Sequence, residues 1–304
     1  MSGIWVDTDF GFDDLWALLL LRHLGCAVDG VSLVAGNAPL DQVVANALGA
    51  RVAYGLEQPM WRGEAQPLVR HPETAERILS VKGMRTRGLS LPIVAEDTLP
   101  VQAIAALAQW LEQPGPREVL AIGPLTNIAR LIERHRDAAC RITRLVWMGG
   151  SAGPGNHTPM AEFNAVADAE ALETVLSMDL PLDIVDLTFC RQVVYTGADM
   201  PATDPLTQDL LGGYLDIALE RGRTGMAIYD PLAALAIAAP DRISFAPCHV
   251  SVSTRADETY GATRIDPGPE GAGARTRLAT APTADLARIC LQALEGEVLM
   301  AHGV

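Results

Sequence analysis

Short apolar runs alternate along this chain with longer stretches whose apolar residues recur at helical spacing. Gly3–Val6 is the first run and reads as a short buried strand, with the apolar block Leu15–Leu21 after it as a helix beginning at Asp13. Ala27–Ala35 predicts the next strand and Leu40–Leu56 a helix. Glu118–Ile122 predicts a strand entering a helix over Leu125–His135, and Leu145–Met148 another strand. Asp168–Met178 follows as a helix, Leu182–Val185 as a strand, and a helix runs from Asp230 to about Ala239. Arg242–Thr254 and Tyr260–Ile265 are strand-rich, and Ala284–Leu294 predicts the last helix. Strands separated by helices need right-handed crossovers, which give a parallel sheet covered on both faces. The pattern therefore predicts an α/β fold in a single large domain over residues 1–304, with a mainly parallel central sheet flanked by helices and additional strands near the C-terminus. Neither an internal repeat nor a low-complexity linker interrupts it. Arg70–Pro92, basic and weakly patterned, and the glycine-rich Gly149–Pro159 read as long loops of the kind that bind or cover ligands.

The end of the first strand changes the picture. Asp7-Thr8-Asp9-Phe10-Gly11-Phe12-Asp13-Asp14 puts four aspartates into eight residues. Two carboxylates about 5 Å apart repel by roughly 3 kcal/mol at an effective dielectric near 20. A helix N-terminus offsets only about 0.3–1 kcal/mol per charge. Capping a helix uses one aspartate, not four. A bound divalent cation resolves the repulsion, and hard oxygen ligands point to calcium or magnesium.

Composition narrows the partners. The net charge of −14 argues against nucleic acid or an anionic membrane surface. No apolar stretch approaches the roughly 20 residues that a membrane-spanning helix needs. The N-terminus has no basic lead or small-residue cleavage site, and the five cysteines are dispersed, so a reducing cytoplasm is the expected setting. The six histidines show no metal-ligand spacing; only His157 lies in a loop of interest.

Other polar groups fall where strands end, and ligands of open α/β sheets bind beyond the carboxyl ends of strands. Gly36-Asn37 follows the second strand. Gly123-Pro124-Leu125-Thr126-Asn127 is either a plain helix start or a turn that frees the Ile122 carbonyl for a cation. The loop after Met148 lacks the Gly-Lys-Ser/Thr ending of a phosphate-binding loop and has no strand–GxGxxG–helix order. Its neighbours Asn156, Glu162 and Asn164 offer hydrogen-bonding groups suited to sugar hydroxyls. Tyr229-Asp230-Pro231 opens a helix, with Asp230 either a cap or one more carboxylate beside an aromatic ring.

Taken in order, Asp7-Thr8-Asp9-x-Gly-x-Asp13-Asp14, Gly36-Asn37, Gly123-Pro124-Leu125-Thr126-Asn127, Met148-Gly149-Gly150, Gly155-Asn156-x-Thr158-Pro159 with Glu162-Phe163-Asn164, and Asp230-Pro231 resemble the inosine–uridine-preferring nucleoside hydrolase family over nearly the whole chain. The resemblance implies a calcium ion held by Asp9, Asp14, Asp230 and the Ile122 carbonyl, with Asp9 as general base on the attacking water. It implies that Asp13 hydrogen-bonds a ribose hydroxyl and that Asn37, Met148, Asn156, Glu162 and Asn164 line the ribose pocket. The implied substrate is a ribonucleoside, split into ribose and free base, and the implied assembly a homodimer or homotetramer. Loops around Arg70–Pro92 and Arg221–Ile228 would close over the site.

Two departures bear on the substrate. Many family members carry histidine where this chain has Tyr229, and purine-specific members carry tryptophan. An aromatic ring there favours a stacked purine. The loop that usually reads His-Gly-Glu/Asp-x-Gly is Lys82-Gly83-Met84-Arg85-Thr86-Arg87-Gly88. Its cations are either a solvated face or a site for an anionic substituent on another N-ribosyl substrate. Two rival readings exist: an aspartate-nucleophile phosphatase using Asp7, and a nucleoside- or ribose-binding protein with little turnover.

Overall fold

The computed structural model describes residues 3–95, 99–268 and 275–296. Its strands, in chain order, are β1 (Ile4–Thr8), β2 (Val28–Leu33), β3 (Met60–Arg62), β4 (Glu118–Ala121), β5 (Arg144–Met148), β6 (Leu182–Val185), β7 (Val194–Tyr195), β8 (Met226–Ala227), β9 (Ser244–Val252), β10 (Thr263–Pro267) and β11 (Thr276–Thr280). Nine of these described strands form one sheet in the order β10-β9-β11-β6-β5-β4-β1-β2-β3, and β7 pairs with β8 separately. From β3 across to β11 every pairing is parallel. Only the β11–β9 and β9–β10 pairings, at one edge, are antiparallel. The expected α/β architecture is present.

The connectivity says where a site belongs. From β1 the chain steps outward to β2 and β3, then returns to β4 on the other side of β1 and continues through β5 and β6. Strand order thus reverses between β1 and β4, and in such sheets the crevice for a ligand opens beyond the strand ends at that reversal.

Packing brings the acidic groups there. The helix Phe12–His23 buries nearly every side chain from Phe12 to Leu21, as a helix apolar all round must. It packs against the helix Asp230–Ala238, so the N-terminal turns of both helices, each bearing aspartates, lie side by side. These helices, with Leu40–Tyr54 and Pro205–Leu219, build the core on one face of the sheet; Ala103–Leu111, Thr126–Arg134 and Ala169–Ser177 build the core on the other.

Several elements differ from expectation. The last strands are β10 at Thr263–Pro267, shifted from Tyr260–Ile265, and β11, which sequence periodicity did not show. The helices Ala103–Leu111 and Pro205–Leu219 and the three-residue β3 also went unpredicted. Arg70–Pro92 is largely loop but holds the short helix Glu76–Leu79.

Candidate active site

The turn after β1 is bent sharply. Phe10, fully buried, takes φ +43°, a left-handed conformation that costs a non-glycine residue about 1 kcal/mol or more. Its N–H donates to Thr8 Oγ1 (3.1 Å) and its carbonyl accepts from Asn46 Nδ2 (3.2 Å). The bend starts the helix at once: Gly11 N–H donates to Asp14 Oδ2 (2.7 Å), and the Thr8 hydroxyl donates to Asp14 Oδ1.

Asp9 is held from β2's side. Asn37 gives its backbone N–H to Asp9 Oδ2 (2.8 Å) and its side-chain amide to Asp9 Oδ1 (3.0 Å), with a longer contact to Asp14 Oδ2 (3.3 Å). Gly36 permits the approach, because a Cβ there would stand 2.1 Å from Asp9 Oδ2. Asp13 accepts from the Tyr214 hydroxyl (2.6 Å) on the helix Pro205–Leu219. Among the described residues Asp13, Asp14 and Asp230 each place a carboxylate oxygen within 4.8 Å of the others.

Burial dominates the electrostatics. Desolvation holds the Asp9 and Asp230 carboxyls well above the usual carboxylate range, and Asp14 (for Asp9) or Asp13 (for Asp230) adds like-charge repulsion. Asp14 is pushed up to about 7, by desolvation first and Asp13 second. Asp13 is raised by burial as well, against the lowering effect of Tyr214. Such a cluster needs protons or a cation. Oxygens bound to one calcium ion at about 2.3–2.6 Å can be at most about 5 Å apart, so the observed spacing and the all-oxygen donor set fit a hard divalent cation.

These groups face a cleft of about 760 Å³. Asp9, Asp13, Asn37, Ile122, Met148, Asn156, Glu162, Asn164, Tyr229 and Asp230 all line it; Asp14, fully buried, sits behind them. Glu162 caps the short helix Phe163–Ala167, accepting from Asn164 N–H (2.9 Å), Ala165 N–H (3.1 Å) and Gly150 N–H (2.9 Å). Burial still pushes its carboxyl up to about 7. Asn164 donates its amide to the Met148 carbonyl (3.0 Å), and Asn156 Oδ1 accepts from Phe163 N–H (2.9 Å). Each asparagine keeps one amide atom for a ligand. The lining also includes apolar and aromatic side chains, Ile78, Leu79, Phe163, Ile217 and Met226.

Two sequence readings change. Asp7 is not part of the cleft lining: its Oδ1 accepts from Ser32 Oγ and from Asn127 Nδ2 (2.7 Å), tying β1 to β2 and to the helix Thr126–Arg134. An aspartyl-phosphatase nucleophile is thereby lost. Asp9, held by Asn37, lies beside Asp14, while Asp13, Asp14 and Asp230 are the three carboxylates that close to within 4.8 Å of one another. Lys82, Arg85 and Arg87 lie outside the lining. Arg85 pairs with Glu220, Arg87 forks onto Asp216 (2.8 and 2.7 Å), and Lys82 reaches Ser90 Oγ (3.3 Å). The cations lining the cleft are the exposed Arg221 and Arg223. Tyr214 was missed, although Asp204-Pro205 is a legible helix start whose cap accepts from Leu206 N–H (2.9 Å).

Comparison with known proteins agrees with this geometry. The model of the family described as inosine-uridine preferring nucleoside hydrolase matches residues 4–289. A non-specific ribonucleoside hydrolase, RihC, of Escherichia coli (strain SMS-3-5 / SECEC) is 33% identical over 275 residues, covering 86% of this chain and 88% of its own. Among solved structures, a plant nucleoside hydrolase superposes with TM-score 0.84 at 22% identity, and a purine-preferring ribonucleoside hydrolase from Gardnerella vaginalis with 0.85 at 19%; each alignment covers 96% of this chain and 98% of the other. At those identities the structural likeness speaks for the fold.

Proposed function

Since the chain belongs to the inosine–uridine-preferring nucleoside hydrolase family and is a nucleoside N-ribohydrolase, we propose that it works with calcium and favours purine ribonucleosides. The single observation that carries the reading is the group of buried carboxylates at the β1–β4 reversal, facing a cleft lined both by amides suited to sugar hydroxyls and by apolar and aromatic side chains.

Asp9, Asp14, Asp230 and the Ile122 carbonyl would hold the ion, with Asp13 beside them. Calcium held there would supply Lewis acidity for activating a water. Asp9, fixed through both oxygens by Asn37, takes the proton from the attacking water. Asp13, fixed by Tyr214 through Oδ2, keeps Oδ1 for a ribose hydroxyl. Asn37, Met148, Asn156, Glu162 and Asn164 surround the sugar. As the C1′–N bond lengthens, ribose gains oxocarbenium character, and carboxylates held in a dry pocket stabilise that charge more than they stabilise the neutral substrate. Tyr229, whose hydroxyl burial raises to about 12, keeps its proton and offers a ring face to a base.

The test is ribose release from inosine, adenosine, guanosine, uridine and cytidine, each with calcium and with chelator. The reading predicts calcium-dependent release with higher kcat/KM for the purines. Release that ignores chelator, or release from pyrimidines alone, contradicts it.

A further inference from the structure

Phe10, between Asp9 and Asp13, carries the left-handed bend of the acidic turn, and a non-glycine residue stays in that conformation only where its surroundings hold it. The side chain that holds its carbonyl is Asn46, from the helix Leu40–Tyr54. Asn46 is 6% exposed, and Gln42 Nε2 donates to its Oδ1 (2.9 Å), which fixes the amide's orientation. Its Nδ2 donates to two carbonyls at once, Phe10 (3.2 Å) and Lys82 (2.8 Å). One amide nitrogen thus joins the acidic turn to the 70–92 loop, whose Ala75, Ile78 and Leu79 line the cleft. The loop is seated on the other supports of the site as well. Gly83, at φ +63°, lies against Asn37 and Ala38: a Cβ there would stand 3.0 Å from Ala38 Cβ and 3.1 Å from the Asn37 carbonyl carbon. Asn37 in turn holds Asp9. Further on, Arg87 forks onto Asp216, and Asp209 accepts from the Arg87 (2.8 Å) and Leu89 (3.1 Å) N–H groups. Both aspartates belong to the helix whose Tyr214 holds Asp13. Residues 82–89 therefore touch the supports of Asp9, Phe10 and Asp13 together.

We infer that Asn46 is a positioning residue that couples the seating of residues 82–89 to the calcium-binding geometry of the acidic turn. The inference rests on the calcium reading and adds to it a part for the loop, that of a brace. When an ion draws Asp9 and Asp14 together, Phe10 between them is fixed, and its carbonyl and that of Lys82 share the same donor. The turn and the loop are then steadied together, and lifting the loop loosens the turn. Coupling of this kind is reciprocal, so calcium must steady the loop by the factor by which the seated loop tightens calcium. Arg85 and Arg87, paired within the chain, serve that seating.

The test needs no substrate. Calcium binding to the full-length protein is measured by titration calorimetry, and backbone amide exchange over residues 80–89 by mass spectrometry, with calcium and with chelator. The Gly83, Arg87 and Leu89 amides, each hydrogen-bonded in the seated loop, are the reporters. In the wild type, calcium should slow their exchange by about tenfold, within the usual range of coupling between sites. Asn46→Ala should weaken calcium binding by about 10–100-fold, the scale for losing a group that supports a metal ligand. It should also abolish the calcium-dependent slowing over 80–89 while leaving exchange of β5 unchanged. Gly83→Ala acts from the loop side with Asn46 in place, and should give the same two changes to a smaller degree. A cooperative melt in chelator shows that each variant is folded, and if Asn46→Ala does not fold, Gly83→Ala decides. Calcium affinity within about 3-fold of the wild type in the folded variant, or full retention of the calcium-dependent slowing, overturns the coupling. Wild-type protein that binds no calcium overturns the calcium reading itself and the inference with it.

Discussion

The Tyr214 hydroxyl donates to Asp13 Oδ2 across 2.6 Å, although 201 positions separate the two residues in sequence. Asp13 belongs to the acidic turn after β1 and Tyr214 to the helix Pro205–Leu219, so the bond fastens that helix to the site. A hydrogen bond to a charged group contributes about 1.5–3 kcal/mol. Tyr214→Phe keeps the ring packed on Phe12, 5.7 Å away between centroids, and removes only the donor. It should lower kcat/KM for a purine nucleoside by about 10–100-fold and the melting temperature by several degrees. Unchanged kcat/KM would dissociate Tyr214 from the work of Asp13.

Gly36 is a second point of control. A methyl group there would collide with Asp9 Oδ2, which itself is fixed by Asn37. Gly36→Ala should fold, displace Asp9 and reduce kcat by about tenfold or more, since misplacing a catalytic group by about 1 Å can cost about 10²-fold. Wild-type kcat would show that Asp9 need not hold its observed place.

Asp9→Asn removes the proposed base while leaving a side chain of the same shape. At saturating calcium, kcat should fall by about 10²–10⁴-fold, with nucleoside still bound by Asp13, Asn156 and Asn164. Equilibrium binding and single-turnover assays separate the two effects, and an unaltered single-turnover rate would take Asp9 out of the proton-accepting role.

Asp7, Asp14 and Glu162 are each raised to about 7, mainly by burial. In chelator, the folded chain retains protons that the unfolded chain sheds from about pH 4 upward. Stability of the metal-free protein should therefore fall as pH rises from about 4 through about 7. Calcium binds the ionised carboxylates, so the rise in melting temperature that it produces should grow over the same interval. Thermal melts across pH, with and without calcium, check both slopes; a metal-free protein that gains stability between pH 5 and 7 would contradict them.

Much of this site was legible because its chemistry is local in sequence. Asp9, Asp13 and Asp14 sit within one octet, and the β1, β4 and β5 runs that precede Asp9, Ile122 and the Met148 loop are apolar and clearly bounded. The cations at Arg85 and Arg87 could not be placed from sequence, because their partners Glu220 and Asp216 lie at the end of and on a helix more than a hundred residues away. The pairs Tyr214–Asp13 and His157–Glu73 were illegible for the same reason. Three-residue β3 and the alternating β11 are stabilised by pairing with β2, β6 and β9, and an isolated segment of that length carries little period of its own. Asp7 misled because charge density alone does not say which carboxylate a neighbouring Ser32 and Asn127 have already claimed.

The most direct measurement is a calcium titration of chelator-treated protein, with ribose release from inosine and bound calcium followed in the same samples, for the wild type and Asp14→Ala. Activity should rise saturably as one ion binds per chain, and Asp14→Ala should need at least about tenfold more calcium, the usual scale for losing a metal-supporting group. Full ribose release before any calcium is added, or superimposable curves for the two proteins, would contradict a catalytic ion held by the aspartate cluster.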